Sequence, residues 1–189
     1  MNSHTTTVSP ETITGSDFLR TYGNQTGVEL VRGRVVRYPM PGVEHGYVLN
    51  NASYLITDHV KRHDLGQVMS ADTFIRTDST DHTYRGADVC FISYARLPKS
   101  EGRPKGPFES PPELVIEVKS PTDRLRKLGE KAYEYLAAGV RVVLVLDPDT
   151  GSVAVFREDE LPIRLHNGDE LTIPDVLPGF TVTVKKSFE

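Results

Sequence analysis

Two apolar runs, Leu114–Val118 and Arg141–Leu146, bracket a stretch with helical spacing, and this unit constrains the fold more than any other part of the chain. Between them Leu125, Leu128, Ala132, Tyr135 and Leu136 form one apolar stripe at three- and four-residue intervals. Ser120-Pro121-Thr122-Asp123 supplies a helix start, and Gly139 supplies a stop. Runs as continuous as the flanking pair fit strands buried on both faces. Strand, helix and strand in this order place two parallel strands in one sheet through a right-handed crossover.

The remaining elements follow from the same signals. Thr14-Gly15-Ser16-Asp17 caps a short helical segment that Gly23 ends after Tyr22. Val28–Tyr38 reads as two short strands turning at Arg32-Gly33-Arg34. Val48, Leu49, Ala52, Leu55, Ile56 and Val60 give the stretch from Glu44 to His63 one apolar helical face. Gln67–Arg76 and Ala87–Tyr94 read as strands, separated by a polar, turn-like Thr77–Tyr84. Prolines and glycines make Pro98–Pro112 a long loop, a candidate flap. Asp147–Gly151 is a tight turn into a hairpin partner at Ser152–Arg157, and the tail reads as further edge strand. The expected class is a mixed-sheet α/β or α+β domain with helices packed on the sheet.

With 189 residues the chain suits one domain, assigned to residues 11–189, behind a polar, Thr-rich arm at residues 1–10 expected to be poorly ordered. The arm lacks the basic start and apolar stretch of a signal peptide, and no run approaches the roughly 20 apolar residues of a membrane span. The single cysteine, Cys90, excludes an internal disulfide framework, fits a reducing cytoplasm, and reads as a small buried filler. A net charge of −4 argues against tight, unspecific binding of nucleic acid through phosphate contacts alone. It leaves room for an enzyme whose acidic metal site lowers the total. The basic clusters at Lys61-Arg62-His63 and Arg124–Lys131 read first as solvated helix faces. Six scattered histidines show no zinc-ligand spacing, and no Gly-rich phosphate loop is present.

Three polar residues on core strands carry the chemistry. Asp88 interrupts the apolar run Ala87–Tyr94, and Glu117 ends Leu114-Val115-Ile116 with Lys119 two residues on. Side chains two apart on a strand share a face. Each residue has a plain alternative: Asp88 as a solvated or Arg85-paired acid, and Glu117 and Lys119 as a surface ion pair worth about 0–1 kcal/mol. Their co-occurrence favours one ensemble. An oxygen-rich set of this kind suits Mg²⁺ or Mn²⁺. Asp88 and Glu117 would hold the cation and Lys119 would steady a water or the charge of a phosphoryl transition state, giving metal-assisted phosphodiester cleavage.

Asp88 followed by Glu117-Val118-Lys119 resembles the PD-(D/E)xK nuclease superfamily, with Ala87-Asp88 where Pro-Asp is usual. The chain is more specifically similar to one branch, the Uma2 family of restriction endonucleases. The resemblance runs through Glu29–Val35, Pro41–His45, Arg85–Val89, Pro112–Arg124, Lys131–Gly139, Leu146-Asp147-Pro148 and Leu177–Phe180, covering residues 11 to 181. It implies a restriction-endonuclease-like core, a mixed β-sheet flanked by helices, and a magnesium-dependent endonuclease acting on DNA. Residue by residue it implies Asp88, Glu117 and Lys119 as catalytic residues, with Asp88 and Glu117 holding metal. Glu29 and His45 are additional candidates, His45 standing equally well as a polar helix-start residue. Lys131 and Tyr133, on the helix after the catalytic strand, read more readily as packing or solvent-facing residues. Two active sites for two strands make a homodimer plausible. The alternative is a catalytically inactive nucleic-acid-binding or regulatory module of the same fold.

Overall fold

A computed structural model describes residues 6–108 and 110–189. Eleven strands and three α-helices follow one another as β1 (Thr7–Thr12), α1 (Gly15–Tyr22), β2 (Val28–Val31), β3 (Arg34–Arg37), α2 (Val43–Arg62), β4 (Gly66–Arg76), β5 (Tyr84–Ser93), β6 (Leu114–Val118), α3 (Leu125–Ala137), β7 (Val142–Asp147), β8 (Ser152–Arg157), β9 (Ile163–Leu165), β10 (Glu170–Thr172) and β11 (Thr181–Thr183), among the described residues. Nine of the strands join one sheet in the order β1-β3-β2-β5-β6-β7-β8-β9, with β4 also paired to β5, while β10 and β11 pair separately.

The unit that dominates the sequence dominates the sheet. β6 and β7 pair in parallel, Leu114 opposite Val142 and Val118 opposite Leu146, and α3 connects them. β5 pairs antiparallel with β6 on the other side, Val89 opposite Ile116 and Phe91 opposite Leu114. The sheet is therefore mixed and the domain α+β, in line with the expected class.

Alternation along β6 divides the core into two layers. Leu114, Ile116 and Val118 face the layer that holds Val48, Ala52, Ile56 and Val60 of α2. Val115 faces the layer that holds Leu128, Ala132, Tyr135 and Leu136 of α3. Glu117 shares the parity of Val115 and so projects toward α3. A third cluster seats Phe18 of α1 against Val28, Leu30, Val35 and Tyr84.

Residues 7–10 correct the expected arm. They belong to β1, which lies antiparallel to β3 with Thr7 opposite Arg37 and Val8 opposite Val36. Val35 N–H donates to Ser9 Oγ at 3.0 Å and Ile13 N–H to the Gly33 carbonyl at 2.7 Å. The boundary at residue 11 thus cuts through a strand, and residues 1–5 of the proposed arm lie outside the described residues. β-Branched threonines suit such an exposed edge. β5 also begins earlier than expected, at Tyr84, because its pairing with β4 continues to Arg76–Tyr84. Of the tail, β9 extends the main sheet beside β8 and β10–β11 stand apart. No helix among the described residues is long and apolar enough to cross a membrane.

Candidate active site

Asp88 and Glu117 meet where the β5–β6 ladder ends. The register that pairs Val89 with Ile116 runs toward them, and there the Asp88 carboxylate accepts the Val118 N–H at 2.7 Å. The same oxygen lies 3.3 Å from His45 Nε2, in the first turn of α2. His45 is buried, and its Nδ1 has no hydrogen-bond partner. Burial alone would lower the imidazole pKa. The hydrogen bond and charge of Asp88, with Asp123 and Glu117 behind it, raise it above its ordinary value instead.

Glu117 is buried at 4% exposure and both its oxygens are engaged. Tyr135 O–H donates to Oε1 at 2.9 Å and Lys131 Nζ to Oε2 at 2.8 Å. Burial pushes the carboxyl up to about 8, with Lys131 opposing the rise and Asp88 and Glu29 reinforcing it. Lys131 also lies 2.9 Å from Glu29 Oε1 and donates to the Gly86 carbonyl at 2.9 Å. Held between two carboxylates, the Lys131 ammonium stays charged despite its burial.

Glu29 on β2 completes the network. It accepts from Tyr38 O–H and Arg85 Nη1, each at 2.8 Å, and from Gly86 N–H at 3.1 Å. Arg85 reaches onward to Glu134 at 2.7 Å. Burial works to raise the Glu29 pKa, but the charges of Lys131 and Arg85 win and hold it down at about 2. Glu29 therefore adds stability in full above its unfolded value of 4.5, and that contribution fades as pH falls toward about 2. The shift corresponds to about 3 kcal/mol. Glu29→Gln should flatten the acid limb of a stability-versus-pH curve measured by urea unfolding, and an unchanged limb would refute this assignment.

The structure thus brings Asp88, Glu117, Glu29 and His45 into one neighbourhood and places Lys119 differently. Lys119 follows the end of β6, and its ammonium pairs with Asp149, in the turn after β7, and lies 3.5 Å from Asp147 Oδ1, at the end of β7. Lys131, read from sequence as a packing or solvent residue, is the lysine among the acids. Its helical phase was the available signal, since it sits beside the buried stripe of Leu128, Ala132 and Tyr135 and one turn before Tyr135. Tyr133 does point away, half exposed and edge-on to Phe156. Arg85 pairs with Glu29 and Glu134 rather than with Asp88. An apolar hollow between Ile56, Leu146 and Phe180 lies in the α2 layer and takes no part in the site.

Comparison with known proteins supplies the family and supports the fold. Residues 16–185 match the model of Uma2, a family described as "Putative restriction endonuclease". The chain belongs to the Uma2 family. Its fold is similar to the crystal structure of a protein from Anabaena variabilis, described as a putative nuclease belonging to DUF820, with a TM-score of 0.79 and 20% identity over 93% of this chain and 97% of that one. The curated proteins contain no match to it. Within this Uma2 chain, no group of three or more His, Cys, Asp or Glu among the described residues is arranged to hold a metal ion. Asp88 and Glu117 present hard carboxylate oxygens on neighbouring strands. That set fits Mg²⁺ or Mn²⁺, which is commonly bound through one or two carboxylates and keeps several waters for its substrate.

Proposed function

We propose that this Uma2 protein is a metal-dependent endonuclease that hydrolyses DNA phosphodiester bonds. The observation that carries the proposal is the placement of the acids Asp88 and Glu117 together where the β5–β6 ladder ends, Asp88 accepting the amide next to Glu117, in a chain whose family is described as restriction endonuclease. Asp88 and Glu117 would hold Mg²⁺ or Mn²⁺, which when bound would supply Lewis-acid polarisation of the phosphate and a more acidic water. Glu117 gives up its bond to Lys131 or shares an oxygen. Lys131 then remains beside Glu29 and the Gly86 carbonyl in the α3 layer. Lys119 is held by Asp149, whose side chain is 58% exposed, so phosphate can take the ammonium from that pair. There it steadies the developing negative charge. His45 holds Asp88 from the opposite side. Cutting both strands of a duplex calls for two such sites, which an isologous pair of chains would supply.

A second reading, a catalytically inactive binding or regulatory module of the same fold, draws on the engagement of both Glu117 oxygens and the pairing of Lys119 with Asp147 and Asp149. Nicking of supercoiled plasmid separates the two. Mg²⁺ or Mn²⁺ should support nicking and EDTA abolish it. A chain inert with every divalent cation and every DNA form selects the inactive module.

Cation binding gives an independent check. The cation takes Glu117 as its anion, and the Glu117 proton is held up to about 8. Binding near neutral pH must therefore release a proton, and affinity should rise with pH until it levels above about 8. Calorimetry of Mn²⁺ binding in buffers of different ionisation enthalpy reads this directly. Binding that releases no proton, or that Asp88→Asn and Glu117→Gln leave unaltered, would place the cation elsewhere.

A further inference from the structure

The start of α3 carries Arg124, Arg126 and Lys127 and has no acidic residue in its first turn. This reverses the ordinary preference, because a helix N-terminus is the positive end of the macrodipole and favours acids. One carboxylate, Glu130, answers two of these cations, Arg126 at 2.6 Å and Lys127 at 2.9 Å. Arg32 acts on the same carboxylate. Arg32 stands exposed in the turn between β2 and β3, held at φ 51° beside Gly33 at φ 78°. Three exposed cations thus share one partner, with the exposed Arg124 beside them, on a chain whose net charge is −4.

The patch adjoins the acid pair. β6 ends one residue after Glu117, and a tight turn leads directly into α3, with Ser120 N–H donating to Asp123 Oδ2 at 2.9 Å. Asp123, next to Arg124, is among the charges that act on His45, and His45 touches Asp88. From the other side, Glu29 on β2 bonds Lys131, one turn along α3 from Lys127, and so fixes the β2–β3 hairpin against the helix.

We propose that Arg32, Arg124, Arg126 and Lys127 form the surface that holds the phosphate backbone of duplex DNA beside Asp88 and Glu117. For the identity of the polyanion this rests on the nuclease reading. Phosphates supply the negative charge that the patch lacks, and their neutralisation releases counterions. The one large apolar side chain exposed in that turn is Leu125, which is too little for a membrane surface or an apolar protein groove. The solvated-face reading of Arg124–Lys131 gives way to a functional one, because a merely solvated helix start has no reason to oppose its own dipole.

The test is fluorescence anisotropy of a labelled duplex with the full chain in EDTA, over a range of salt concentrations. The double variant Arg124→Glu with Lys127→Glu should bind about ten-fold more weakly and lower the salt slope by about 2. Acids at these positions suit the helix dipole, so α3 is retained. The control, Lys185→Glu with Lys186→Glu, should leave affinity and slope unchanged. Unaltered binding in the α3 variant, an equal loss in the control, or no duplex binding by the wild type each overturns the patch. The patch and the catalytic reading fail separately. Nicking that needs Asp88, together with binding indifferent to Arg124 and Lys127, removes the patch alone. Patch-dependent binding by a chain that never cuts removes the nuclease reading alone.

Discussion

Glu117→Gln is expected to reduce plasmid nicking by about 10³-fold or more while leaving the fold intact. The amide preserves the shape and can still accept from Tyr135 or Lys131, the two groups that hold the carboxylate. It cannot carry the charge that binds a divalent cation, and several kcal/mol of transition-state stabilisation goes with the cation, roughly 10³-fold in rate. Burial already favours the uncharged form of Glu117 up to about pH 8, so the variant resembles the resting chain. Its thermal midpoint should match or exceed that of wild type at pH 8. Asp88→Ala should lose as much activity, but it also strips the Val118 amide and His45 of their acceptor. An unpartnered buried donor costs about 1–3 kcal/mol, so that variant should also melt earlier. Nicking at the wild-type rate by Glu117→Gln would remove Glu117 from the reaction, and the proposed mechanism with it.

The acid pair was legible in the sequence because burying an unpaired carboxylate is costly, and both Asp88 and Glu117 interrupt apolar runs. The β6–α3–β7 unit and α2 were legible because their periodicity is local, and α2 runs over Val43–Arg62 against an expected Glu44–His63. β1 was not, because an edge strand with nearly every residue exposed shows no alternation. It is recruited by partners some 25 residues away, Ser9 Oγ taking the Val35 amide and Thr7 facing Arg37. Lys119 follows Glu117 at the spacing that shares a face on a strand, but β6 ends at Val118, and spacing does not fix the direction a long side chain takes. Asp147, the last residue of the parallel neighbour β7, and Asp149, in the turn that follows, draw the ammonium toward them. The destination of Lys131 depended on which strands α3 would cover. That is tertiary information, and it decides that Glu29, about 100 residues earlier in the chain, and Glu117 share one cation.

Lys131→Met should be the most destabilising single change in this network, by about 3–5 kcal/mol, the usual result of leaving buried charge without its partner. Methionine keeps the length and the apolar stem but removes bonds to Glu29, Glu117 and the Gly86 carbonyl. The two acids then fare differently. Glu29 retains Arg85, Tyr38 and the Gly86 amide, whereas Glu117 retains the Tyr135 hydroxyl. Below about pH 8 the loss should come from the ionised Glu29. The part due to Glu117 should set in above about pH 8, where wild-type Glu117 ionises beside Lys131 and the variant must keep it protonated, and should grow with pH from there. Adding Glu117→Gln to Lys131→Met should restore a measurable part of the stability, giving a coupling of about 1–3 kcal/mol in a double-mutant cycle of urea unfolding. If the double variant is no more stable than Lys131→Met alone at any pH, the charge of Lys131 is irrelevant to Glu117. Its contribution would then lie in its bonds to Glu29 and the Gly86 carbonyl.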